Sequence, residues 1–216
     1  SYAYSGGLVG GAEYVSFTDI TTNVAVTAKK GSAPYPWSYV GGFAGTVKNA
    51  DFLRCVNNGT VTTDGDYVSG FAAKSETTTY TSCVNNGAIT GRTKIGGFGG
   101  AVKSTKTVDS YNTGTIGLAA YNGGNQGIGG LFGEMGYGST LTRCYNTGAV
   151  TGDCYVGGLV GSVGSSSDAT NGPSYIVDSY NSGAITGHSD KSYCGIGGLV
   201  GKLDASSSRV YEQSYV

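Results

Sequence analysis

Gly129-Gly130-Leu131-Phe132-Gly133, and downstream of it Cys144-Tyr145-Asn146-Thr147-Gly148-Ala149-Val150-Thr151, are the two units on which the fold is read. The pentad, small residues around an apolar centre, occurs seven times: at 6–10, 41–45, 69–73, 96–100, 129–133, 157–161 and 197–201. The copy Ser69-Gly70-Phe71-Ala72-Ala73 is the weakest. The octad reads Cys/Ser, Val/Tyr, Asn, any, Gly, any, Val/Ile, Thr. It begins at Cys55, Cys83, Ser110, Cys144 and Ser179, with Gly117 closing the third copy in place of Thr. A degenerate copy covers Ile20–Thr27, and Ser214-Tyr215 opens another.

The distance from the second Gly of the pentad to the Asn of the octad is 15 residues in three successive repeats: 42 to 57, 70 to 85 and 97 to 112. It grows to 16 (130 to 146) and then 23 (158 to 181). A tandem unit this short, rich in β-branched and aromatic residues and broken by Gly turns, buries its apolar face only by stacking on its neighbours. Frequent Gly, Val, Ile, Thr and Tyr oppose helices, and no 3.6-residue stripe is sustained. Each repeat reads as two or three short strands. An antiparallel sandwich gives no reason for equivalent positions to keep one residue type. A propeller blade usually needs about 40 residues or more. The expected fold is therefore all-β: a parallel β-solenoid (β-helix) of about seven coils, one repeat of 27–40 residues per coil, with residues 1–216 forming a single unit.

Composition narrows the function. Of 216 residues, 40 are Gly and 17 Tyr; charged residues are 12%, with 13 Lys+Arg against 14 Asp+Glu. A near-neutral chain lacks the basic footprint expected for nucleic acid or an anionic membrane surface. No apolar run reaches bilayer length, so no membrane insertion is expected. The composition suits an exported all-β protein, and the chain reads as a piece of a longer secreted one.

The pentad Gly157-Gly158-Leu159-Val160-Gly161 and the Cys/Ser-Tyr-Asn-x-Gly-x-Val-Thr-Gly pattern resemble the GLUG motif over nearly the whole chain. The resemblance departs at Ser69–Ala73 and in the first octad. It implies a bacterial cell-surface or secreted setting, among adhesin-like proteins and the non-catalytic regions of immunoglobulin A peptidase-like proteins, and no shared catalytic site. The expected function is a non-catalytic adhesin or stalk module that binds host glycan or glycoprotein. The alternatives are an accessory region of an immunoglobulin A protease-like protein, or a segment associating end to end or with neighbouring domains. A polysaccharide lyase or hydrolase ranks below these, because the acids form no visible groove.

Stacking turns columns into ladders. Asn57, Asn85, Asn112, Asn146 and Asn181 are expected to form an amide ladder at a turn, with Asn-x-Gly supplying a left-handed position. Val56, Val84, Tyr111, Tyr145 and Tyr180 follow the Cys/Ser column; the tyrosines read either as packing or as a carbohydrate-binding strip. In the preceding column Arg143 lies between Asp109 and Asp178, an ion-pair ladder and not an acid–base pair. Cys55, Cys83 and Cys144 share a small interior slot with Ser110 and Ser179 and are expected to be reduced. Cys154 and Cys194, each four residues before the second pentad Gly, fall on neighbouring coils. The spacing permits a disulfide, while parallel side-chain vectors oppose it.

His188 is the only histidine, which leaves no three-His zinc site and no HExxH, and no catalytic residue, metal ligand or cofactor is expected. Calcium stays open at Asp64-Gly65-Asp66 and Ser189-Asp190, although the RTX nonapeptide is missing. Three lengthened returns, 28–39, 117–126 and 187–194, should leave one corner of the solenoid and place Tyr35, Trp37, Tyr39, Tyr121, Asn122 and Tyr193 there as binding residues. The competing reading has Trp37, the only Trp, plugging an end or sealing an edge.

Overall fold

The computed structural model describes residues 2–29, 37–120, 127–164, 172–188 and 193–203, and the backbone of 210–213. It contains four parallel sheets, here A to D, of seven, eleven, six and six strands. The chain visits them in order. The third repeat runs through Tyr67–Ser69 (A), Ala72–Thr81 (B), Val84–Asn85 (C) and Ile89–Gly91 (D). Every rung pairs with its neighbour in the repeat register. In sheet D, Val26, Val61, Ile89, Ile116, Val150 and Ile185 lie one above another. The weak pentad holds that register too, with Ser69 between Gly41 and Gly96. The fold is a parallel β-solenoid.

Each of the first six repeats thus has four or five strands where two or three are legible. The octad is the reason. Its Asn corner divides it into pieces such as Val56–Asn57 and Val61–Thr63, too short to show a two-residue period.

The interior is two cores separated by a polar wall. One core stacks the pentad centres: Phe43 on Phe71 (4.7 Å between rings, 4°) and Phe71 on Phe98 (4.7 Å, 10°). Phe17, Phe52 and Tyr80 form a second stack, and Phe43 and Phe52 meet edge to face at 5.7 Å. Leu131, Leu159, Leu141 and Ile176 continue the same core. The other core, between sheets A and D, is aliphatic: Val40, Val68, Ile95, Ile128 and Val156 against Val61, Ile89, Ile116 and Val150.

The asparagine ladder runs between them. Nδ2 of Asn57 donates to Oδ1 of Asn85 (2.7 Å), Asn85 to Asn112 (2.6 Å), Asn112 to Asn146 (2.7 Å) and Asn146 to Asn181 (2.7 Å). The second amide hydrogen of each goes to the carbonyl two residues on, as from Asn112 to Gly114 (2.7 Å). Across the interior, each Asn faces the second Gly of its pentad. A Cβ on Gly42 would lie 2.7 Å from Asn57 Oδ1, and one on Gly97 2.9 Å from Asn112 Oδ1. The 15-residue spacing is the path between two residues in contact across the coil.

The octad glycines serve a purpose different from the one expected. Gly59, Gly87, Gly114, Gly148 and Gly183 are not in the left-handed region; Arg54, Ser82, Asp109, Arg143 and Asp178 are, with φ of 48–53°. What excludes a side chain at the octad glycines is the coil beneath: a Cβ on Gly148 would lie 2.8 Å from the Gly114 carbonyl carbon. The left-handed turn is instead braced by the residue after it. Ser110 Oγ donates to Val108 O (2.8 Å), and Cys144 Sγ to Thr142 O (3.3 Å). That is why the slot takes Ser or Cys.

The ladder starts one rung late. Thr22 holds the Asn position in the first coil, and the buried Oδ1 of Asn57 has no hydrogen-bond partner. Thr22→Asn should supply the missing donor and stabilise the chain by about 1 kcal/mol. The check is the denaturation midpoint, which should rise; a fall would contradict this reading of the first rung.

Candidate functional site

The outward positions of sheet A collect aromatic rings. Strand Tyr2–Gly6 pairs with Trp37–Gly41 so that Tyr2 lies beside Trp37 and Tyr4 beside Tyr39, and Tyr67 follows on the next rung. Tyr4 and Tyr39 stack at 5.4 Å, Tyr39 and Tyr67 at 4.6 Å, and Trp37 leans on Tyr67 at 5.6 Å and 52°. Tyr39 is closed in from both sides, at 7% exposure. Tyr2, Tyr4 and Trp37 are 63%, 47% and 43% exposed and carry the open ring surface. Five contiguous outward aromatics are far more than scattered surface apolar residues explain.

The last residue of the pentad, Gly in every copy but the one ending in Ala73, builds the neighbouring wall. A Cβ on Gly45 would lie 2.8 Å from Tyr39 O, and one on Gly100 2.5 Å from Lys94 O, so sheet B approaches sheet A closely. Beside the rings this leaves two open depressions. One, of about 390 Å³, lies between Tyr4 and Glu13, Thr46 and Lys48. The other, of about 310 Å³, is lined by Tyr39, Tyr67, Lys74, Glu76, Lys94 and Glu134, among others.

The wall is charged in a regular way. Glu13, Lys48, Glu76 and Lys103 alternate up one column, and Lys48 bonds Glu76 at 3.3 Å. Lys94 has its ammonium 5.0 Å from the Tyr67 ring centre and 2.5 Å from Glu134. Burial works against the Lys94 charge, but the Glu134 carboxylate and Tyr67 outweigh it and hold Lys94 above an ordinary lysine. Burial, followed by the adjacent phenols, pushes Tyr39 up to about 12. The site sets phenols and an indole beside lysine and glutamate side chains. It has the means to bind a ring-bearing polar ligand.

Of the sequence-predicted residues, the structure brings Trp37 and Tyr39 together. Trp37 lies on the outer face of sheet A and plugs no end. Tyr193 is 91% exposed at the same corner, but the pairing of Val156 with Ile196 sets it five rungs from Trp37, roughly 24 Å at strand spacing. Tyr35, Tyr121 and Asn122 lie outside the described residues, as do Ser189 and Asp190. Tyr2, Tyr4, Tyr67 and Lys74 join the site in the structure and are not among the sequence-predicted residues. The signal was available: Tyr4, Tyr39 and Tyr67 all stand two residues before the first position of a pentad.

The second tyrosine column is a different object. Tyr111 and Tyr145 stack at 4.6 Å and 4°, and Tyr145 and Tyr180 at 5.1 Å and 6°. Rings this parallel cover one another's faces within the stack, and Tyr180, at the end of its described part, is 47% exposed. Beside it, Arg143 takes Asp109 alone as a bidentate partner (2.6 and 2.9 Å), as Arg54 takes Asp19. The Arg143 hydrogen bonds hold Asp109 below the usual carboxylate range, the reverse of what a general acid needs. Asp66 is likewise engaged, by Arg92 and Thr93.

Cys154 and Cys194 form a disulfide between coils, with Cα atoms 4.8 Å apart. Cys55, Cys83 and Cys144 are free and buried. Burial pushes the Cys144 thiol up to about 11, so it is no ready nucleophile. Compared with family models, curated proteins and solved structures, the chain matches none.

Proposed function

We propose that this chain is a non-catalytic recognition module of a bacterial extracellular or cell-surface protein, and that it binds a host glycan chain along the sheet A aromatic patch. The observation that carries the reading is the patch itself: Tyr2, Tyr4, Trp37, Tyr39 and Tyr67 contiguous on one face, beside two depressions with a polar wall. Tyr and Trp offer a flat apolar face and a hydrogen-bonding edge, which is what a sugar ring requires. The setting is supported by the GLUG-like repeats and by a disulfide, which persists in oxidising compartments.

The test is binding to a panel of glycans and secreted glycoproteins, immunoglobulin A included, with Trp37→Ala and Tyr4→Ala beside the parent chain. Both side chains are half-exposed, so stability should hold while affinity falls at least about tenfold, as for an aromatic anchor. Binding to nothing by a stably folded chain would reject the reading. It would favour a stalk, for which the in-register sheets and the continuous amide ladder make a stiff rod.

A further inference from the structure

We infer that the glycan recognised by this groove is an acidic one, and that Lys74 pairs with its carboxylate; this rests on the aromatic patch being the binding site. The cations along the wall are not equivalent. Lys48 has a carboxylate on either side of it in its column, Glu13 and Glu76, and Lys94 is bonded to Glu134. Lys74 sits in the other column, whose order is Gly11, Thr46, Lys74, Ala101 and Glu134. The residues directly below and above it are thus Thr46 and Ala101, and neither carries charge. The nearest acid along its own strand, Glu76, is committed to Lys48 at 3.3 Å.

Its position supplies the rest of the argument. The Lys74 ammonium is 6.0 Å from the centre of the Tyr39 ring, lines the same depression as Tyr39 and Tyr67, and is exposed. A sugar laid in that depression, against the ring edges of Tyr39 and Tyr67, would have this cation in its wall. A ring hydroxyl gains little from an ammonium it shares with water. A carboxylate gains a charge-assisted hydrogen bond in a site partly shielded by aromatic rings. An uncompensated lysine beside stacked aromatics therefore selects for a sugar acid.

The experiment compares 3′-sialyllactose and a galacturonate oligomer with neutral lactose and with neutral oligomers of the same lengths, by calorimetry at low and high salt. At least one acidic probe should bind about tenfold tighter than its neutral counterpart, and salt should erode the preference. Lys74→Gln should abolish the preference while keeping the residual neutral affinity. Lys106→Gln, which removes one exposed charge elsewhere on sheet B, should leave it intact. Which acid is preferred separates sialic from uronic acid sources. Equal binding of acidic and neutral probes, or a preference that survives in Lys74→Gln, overturns the inference while the aromatic site stands. Absence of binding to every probe and to the glycan panel overturns both.

Discussion

Asn112→Asp is expected to destabilise the chain by about 3–5 kcal/mol, although it exchanges one atom. Asn112 accepts from Asn85 at 2.6 Å and donates to Asn146 Oδ1 and Gly114 O at 2.7 Å each, with no solvent exposure. Aspartate keeps the first bond, removes both donors, and sets a carboxylate against two acceptor oxygens at a site water does not reach. Protonating that carboxylate would restore one donor, so the defect should shrink as pH falls. The matched control is Asn58→Asp. Asn58 belongs to an exposed amide ladder, donating to Asn23 at 2.9 Å, and the same exchange there should cost within about 0.5 kcal/mol. Chemical denaturation of both variants checks this. Equal losses would show that the inner ladder contributes no more than a surface turn.

Cys194→Ser should lower the stability of the last coils by about 2–4 kcal/mol, the range for a bridge closing 40 residues. The loss should be local. Solenoid coils contact only their neighbours, so faster amide exchange is expected in the strands Val156–Gly157, Ile196–Gly197 and Val200–Leu203. Strands from Ala44 to Met135 should keep their protection. Uniform loss over all coils would mean that the molecule unfolds as one cooperative unit and that the bridge acts on the whole of it.

Much of this architecture is legible in the sequence, because a repeat whose equivalent positions keep one residue type is itself the record of axial stacking. Asn57 to Asn181 and the Cys154–Cys194 neighbourhood follow from counting within each repeat. Contacts across the coil do not follow from counting. The meeting of Gly97 with Asn112, and the division of the interior that results, needs the curvature of the pentad arc, which no column of identities conveys. The left-handed residues at Arg54 and Arg143 were hidden for a similar reason: neither residue type advertises that conformation, and the serine or cysteine that braces it follows in sequence. Of the site, Trp37 and Tyr39 are visible as loop aromatics. Lys74 is not, because its significance lies in its uncharged neighbours Thr46 and Ala101, each a full turn of the solenoid away.

The proposed recognition site carries its own reporter, since Trp37 is the only tryptophan and lies half-exposed within the aromatic patch. The most direct measurement is therefore Trp37 emission during titration with whichever glycan calorimetry shows to bind. A saturable change in intensity or wavelength, with the calorimetric dissociation constant, is the predicted result. Calorimetric binding with Trp37 emission unmoved would place recognition elsewhere on the solenoid and contradict the assignment of the sheet A groove.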